Sequence, residues 1–147
     1  MRILGIDLGE KRVGIALSDP TGSIASPLCV LDRSGIGDED LARAIASIAR
    51  ERGAEVIVVG LPLNMDGSIG DSAKKAISFA GVLEDIAGIR VRLWDERLST
   101  EAVKRAMIRA GIRKGKRKKA IDGAAAAFIL QGYLDRRRWS DWGSEED

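Results

Sequence analysis

Three apolar runs open the chain. Ile3 to Leu8, Val13 to Leu17 and Ser23 to Leu31 are separated by short polar stretches. Each is long enough for one strand, and Asp19-Pro20-Thr21-Gly22 is a turn signal between the second and third. Strands joined this closely predict an antiparallel meander. After the loop Arg33–Gly37 the period changes. Leu41, Ile45, Ile48 and Arg52 share one helical face, Asp38 suits the N-cap, and Gly53 suits the end. Glu55-Val56-Ile57-Val58-Val59-Gly60 is a β-branched run, as expected of a strand covered on both faces. A loop with Pro62, Asn64 and Asp66-Gly67 leads to a helix from about Ser72 to Gly88. Its expected inward residues are Ala76, Ile77, Ala80, Leu83 and Ala87. Ile89 to Trp94 alternates, as an edge or half-covered strand does. A helix capped by Ser99 or Thr100 and ending at Gly111 comes next. The basic stretch Ile112–Lys119 precedes a last helix from about Ala120 to Arg137. That helix has Ile121, Ala124, Ala125, Phe128, Ile129 and Gly132 as its apolar stripe. The order β-β-β-α-β-α-β-α-α predicts an α/β fold. Its five-stranded mixed sheet is a three-strand antiparallel meander plus two parallel strands, with helices on both faces.

Length and composition narrow this picture. A chain of 147 residues builds one core, so residues 1–138 are expected to be a single domain and 139–147 a flexible tail. Cys29 is the sole cysteine, which leaves no intrachain disulfide. The absence of histidine excludes His-based acid–base catalysis and His-ligated metal. No signal peptide or membrane span is legible, and a cytoplasmic location is expected. The net charge of +2 conceals an asymmetry: nine Lys or Arg and no acid lie between Ala102 and Ile121, leaving −7 elsewhere. Such a block points to a polyanion partner.

Three acids stand at element ends. Asp7 interrupts the first apolar run two residues before Gly9, and a carboxylate in a buried strand needs something cationic to hold it. Asp-x-Gly alone fits a turn-capping residue equally well. Glu96 follows the last strand beside Arg97, and Asp122 lies in the first turn of the final helix.

The stretches around these acids resemble the YqgF (RuvX) family. Asp7-Leu8-Gly9-Glu10-Lys11-Arg12-Val13-Gly14-Ile15-Ala16 is similar to its opening, and Gly60-Leu61-Pro62-Leu63-Asn64-Met65-Asp66-Gly67-Ser68 to its second block. Asp95-Glu96-Arg97-Leu98-Ser99-Thr100 resembles the third, and Ile121-Asp122-Gly123-Ala124-Ala125-Ala126 the fourth. The blocks occur in order over most of the chain. The resemblance implies a ribonuclease H-like fold and a bacterial nuclease related to Holliday-junction resolvases. It also implies a role at the 5′ end of the 16S ribosomal RNA precursor. Asp7, Glu96 and Asp122 are then the expected catalytic acids and the ligands of Mg²⁺, with Mn²⁺ as an alternative. The expected partners are RNA, as pre-16S rRNA or an assembling ribosomal particle, and branched DNA, with no membrane.

The chemistry is consistent with these residue types. Phosphodiester hydrolysis by a metal needs a few convergent carboxylates and no histidine, since Mg²⁺ takes hard oxygen ligands and keeps several waters. Lys11, Arg12, Asn64, Arg97, Arg113, Lys114, Lys116, Arg117, Lys118 and Lys119 are the candidates for holding the nucleic-acid backbone. The chain departs from the resolvase pattern twice. The fourth strand, where resolvases carry their second acid, ends in Gly60. Ala125 stands where they carry a fourth acid. These departures keep a second reading open, a non-catalytic nucleic-acid-binding factor in ribosome assembly or transcription. A third reading, an actin-like or sugar-kinase ATP domain, also opens with Asp-x-Gly. It needs two domains and a second phosphate loop, so no nucleotide cofactor is expected.

Overall fold

A computed structural model of the chain describes residues 1–97 and 114–143, with side chains over 1–97 and 123–137. β1 (Arg2–Leu8), β2 (Arg12–Ser18) and β3 (Ala25–Asp32) form the meander. α1 (Asp38–Glu51), β4 (Ala54–Leu61), α2 (Asp71–Ala87), β5 (Arg90–Asp95) and a long α3 (Lys114–Gly143) follow. The sheet order is β3-β2-β1-β4-β5. β1–β2 and β2–β3 are antiparallel, and β1–β4 and β4–β5 are parallel, so the expected mixed sheet is present.

Strand alternation divides the core in two. Leu4, Ile6, Ile57 and Val59 point to the side carrying α1 and α2, where they pack with Leu41, Ile45, Phe79 and Leu83. Ile3, Ala16 and Val58 point to the other side and meet Ala126, Ile129, Leu130 and Leu134 of α3. Gly5 is a point of close approach. A Cβ there would lie 2.7 Å from the Leu130 Cβ, so its absence lets α3 settle directly on β1.

Several local expectations are corrected. Asp38 is the first residue of α1 and not its cap. Gly37 holds the cap position, with no side-chain hydrogen bond, and the Asp38 carboxylate pairs with Arg33 at 2.9 Å. In α2, Ile77 faces outward, 39% exposed, and Phe79 is buried in its place beside Ala76 and Leu83. On α3, Phe128 is 44% exposed, and the buried stripe is rotated to Ala126, Ile129, Leu130 and Leu134. That helix also begins at Lys114 and runs to Gly143, so part of the basic stretch and of the expected flexible tail is helical. Lys and Arg are good helix formers, and no proline interrupts residues 114–143. The helix expected from Ser99 or Thr100 to Gly111 lies outside the described residues. Among those described, no helix is long and apolar enough to cross a membrane.

Candidate active site

The C-terminal ends of β1, β4 and β5 lie side by side. Ile3 and Gly5 face α3, so Asp7, two residues on, faces it as well. Asp7 pairs with Gly14 on β2. On the other flank, Ile6 pairs with Val59, which makes Gly60 the next β4 position beside Asp7, and Gly60 pairs with Trp94 of β5. The Asp7 carboxylate therefore stands between two positions with no side chains. Gly9 closes the β1–β2 hairpin through its N–H, which donates to the Arg12 carbonyl at 3.0 Å.

Glu96 enters this row from β5. Its N–H donates to the Leu61 carbonyl at 3.2 Å, which binds the end of β5 to the end of β4. The carboxylate folds back over Gly60, where an added Cβ would collide with it and would stand 2.8 Å from the Ile129 Cδ1. Glu96 thus places its acid above the end of β4 although it comes just after β5 in the chain. Burial, and then the charges of Asp7 and Asp95, push the Glu96 carboxyl up to about 7. Two carboxylates held together and partly desolvated repel each other until a cation joins them. Such hard oxygen donors fit Mg²⁺ or Mn²⁺, which bind through one or two carboxylates and retain water.

A clamp fixes Glu96 from behind. The Arg97 guanidinium meets Asp95 through Nε at 3.0 and 3.1 Å and through Nη2 at 2.7 Å, and its Nη1 donates to the Met65 carbonyl at 3.3 Å. The Arg97 hydrogen bonds and charge hold the Asp95 carboxyl below the usual carboxylate range. The loop after β4 is closed on itself. Asn64 Nδ2 donates to Ser68 Oγ at 3.0 Å, and both the Ser68 N–H and hydroxyl donate to Asp66 Oδ1.

The structure describes some of the expected site residues in full and others only in part or not at all. Asp7 and Glu96 are brought together. Asp122 belongs to α3, and its side chain lies outside the described residues. Among those described, no group of three or more metal-binding side chains gathers. Arg12, two residues before Gly14 on β2, faces the same side as Asp7. Lys11 is exposed at the hairpin tip. Arg97 serves as a buttress, and Asn64 sits in the self-bonded turn. Lys114, Lys116, Arg117, Lys118 and Lys119 occupy the first turns of α3, with side chains outside the described residues, as is Arg113 altogether. The roles of Gly60 and of the Asp95–Arg97 clamp were not foreseen. Asp-x-Arg directly after a strand is the signal for the clamp, while nothing in the local sequence marks Gly60 as the seat of a neighbouring strand's acid.

A family model described as RuvX, Holliday junction resolvase, matches residues 1–136. A protein of Clostridium kluyveri, named provisionally as a pre-16S rRNA nuclease, is 44% identical over 136 residues, covering 92% of this chain and 98% of its own. One of Desulforamulus reducens with the same name is 46% identical over 135 residues, covering 92% and 97%. Among solved structures, RuvC of Thermus thermophilus in complex with a Holliday junction substrate aligns with a TM-score of 0.60 at 16% identity. That alignment covers 95% of this chain and 97% of the other. The fowlpox virus resolvase in complex with Holliday junction DNA aligns with a TM-score of 0.57 at 15% identity, covering 93% and 99%. At these identities the structural likeness shows the fold alone, and that fold is ribonuclease H-like.

Proposed function

This chain belongs to the RuvX family and is a nuclease of that family, and we propose that it is a metal-dependent enzyme acting on the 5′ end of the 16S ribosomal RNA precursor in the cytoplasm. Asp7, Glu96 and Asp122 are its catalytic acids and metal ligands in this reading, and branched DNA is a second substrate. The observation that carries it is the pair at the strand ends. Asp7 and Glu96 meet above a floor opened by Gly60, and α3, which bears Asp122, packs on that same face. A divalent ion held there would polarise the phosphate and activate water. The protein's own part is to hold the carboxylates, to steady Glu96 through Arg97 and Asp95, and to keep the substrate backbone against basic side chains. Arg12 beside the site and the cations at the start of α3 are the proposed backbone contacts.

The test uses a structured precursor-RNA fragment and a four-way DNA junction, each with Mg²⁺, with Mn²⁺ and with chelator. Cleavage of the RNA at its 5′ side, dependent on the ion and lost in Asp7→Asn and Glu96→Gln, supports the reading. Cleavage of the junction alone moves the substrate to branched DNA. Wild-type cleavage by Asp7→Asn makes Asp7 a turn residue and overturns the site. Tight binding with no cleavage of any substrate by the wild type, including precursor within assembling particles, favours a binding factor that has lost catalysis.

A further inference from the structure

A second concavity lies back to back with the acid pair. Asp7 faces α3, and Leu8, the next residue, faces the opposite side of the sheet. There a cavity of about 610 Å³ opens. Leu8, Pro62 and Phe79 form its apolar floor. One wall is the hairpin tip together with the loop that enters α1. The other is the face of α2 bearing Ser72, Lys75 and Ser78, whose spacing of three aligns them.

The first wall is fixed. The Arg33 N–H donates to the Lys11 carbonyl at 2.8 Å, and the Arg33 guanidinium joins the Gly9 carbonyl at 3.5 Å and Asp38 at 2.9 Å. Arg33 is thereby committed to holding the wall. Lys11 stands on the hairpin wall and Lys75 on the α2 wall. Both are exposed, and among the described residues no carboxylate pairs with either, although Glu10 stands on the rim.

A site of this volume, with an apolar floor, hydroxyls on one side and a lysine on each wall, suits one base with its flanking phosphates and is too small to enclose a duplex. Its position supplies the connection. Leu8 follows Asp7, and Pro62 comes two residues after Gly60, so a strand leaving the acid site over the ends of β1 and β4 descends into it. We propose that this groove binds an unpaired nucleotide of the substrate strand next to the cleaved bond, with Lys11 and Lys75 on its phosphates and Ser72 and Ser78 at the base edge. The inference rests on the nuclease reading for the identity of the strand, but its test needs no cleavage.

The experiment measures binding in chelator by fluorescence anisotropy. The probes are a blunt duplex and the same duplex with a short single-stranded extension at either end, each made in RNA and in DNA. An extension of the correct polarity is expected to tighten wild-type binding about tenfold. Lys75→Glu and Ser78→Trp change exposed positions, so the fold is retained. Each is expected to remove that gain and to leave blunt-duplex affinity unchanged. A gain with RNA alone assigns the groove to RNA, and a gain with both assigns it to either strand. A photoreactive base in the extension should crosslink to α2. The inference is overturned if the wild type shows no gain from any extension, if both variants keep the full gain, or if crosslinks fall only on the α3 face. Absence of cleavage on every substrate would instead count against the nuclease reading and leave these binding outcomes unaffected.

Discussion

At the scale of single residues, the site is built as much by missing side chains as by present ones. Asp7 lies between Gly14 and Gly60, and the Glu96 carboxylate occupies the space above Gly60. Gly60→Ala is expected to displace Glu96 and press on Ile129. Overpacking of this kind costs about 1–3 kcal/mol. Thermal melts and Mn²⁺ titration read the two effects apart. If only stability falls and ion affinity holds, Gly60 serves packing and does not seat the acid. Asp7→Asn works in the opposite direction. Asn keeps the shape and one acceptor oxygen but removes the charge. Cleavage should fall by several orders of magnitude, while melting in chelator stays level or rises because Glu96 loses a like-charged neighbour. A clear drop in melting temperature would mean that Asp7 holds the hairpin together. The two acids were legible in the sequence because a carboxylate inside or just beyond an apolar run is costly without a reason. Gly60 was not, because its role depends on a side chain 36 positions later, which only the β4–β5 register brings back to it.

At the scale of elements, period and turn chemistry located each strand, since a single strand's alternation is a local property. Helix faces were less secure. On α2, Ile77 turns outward and Phe79 is buried instead; on α3, Phe128 turns outward, because small residues decide which side of that helix approaches the sheet most closely. Gly5 on β1 and the alanines of α3 set that rotation, and neither is marked by hydrophobicity. The start of α3 at Lys114 bears on the proposed backbone contacts, since residues 114–119 then belong to a helix. Neutralising Lys116, Arg117, Lys118 and Lys119 should weaken RNA and DNA binding and flatten its salt dependence, each lost phosphate contact lowering the log–log slope by roughly 0.7 to 0.9. Affinity measured between low and moderate salt reads this directly. An unchanged slope would move the block away from nucleic acid to a protein partner or to solubility alone.

At the scale of the whole molecule, a sheet with helices on both faces brings the ends of β1, β4 and β5 to one edge, and the acid pair makes that edge electrostatically unfavourable when no cation is bound. Glu96 titrates near 7 in the fold, against an ordinary value of 4.5, so between those values the folded protein binds more protons than the unfolded chain. Stability in chelator should therefore be highest near the lower value and decline as the pH rises toward neutrality. Asp95 and Asp66 act in the opposite sense. Arg97 lowers the first and Ser68 the second, so their contribution is lost only as the pH falls through the acid range, well below this window. Thermal melts from about pH 5 to about pH 8 in chelator should show the decline in the wild type, a smaller one in Asp7→Asn, and little in Glu96→Gln. Saturating Mg²⁺ should reverse the trend, because the ion binds deprotonated carboxylates and stabilises the fold more as the pH rises. Parallel profiles for the wild type and Glu96→Gln would show that Glu96 is not held against Asp7, and the proposed ion site would lose its second ligand.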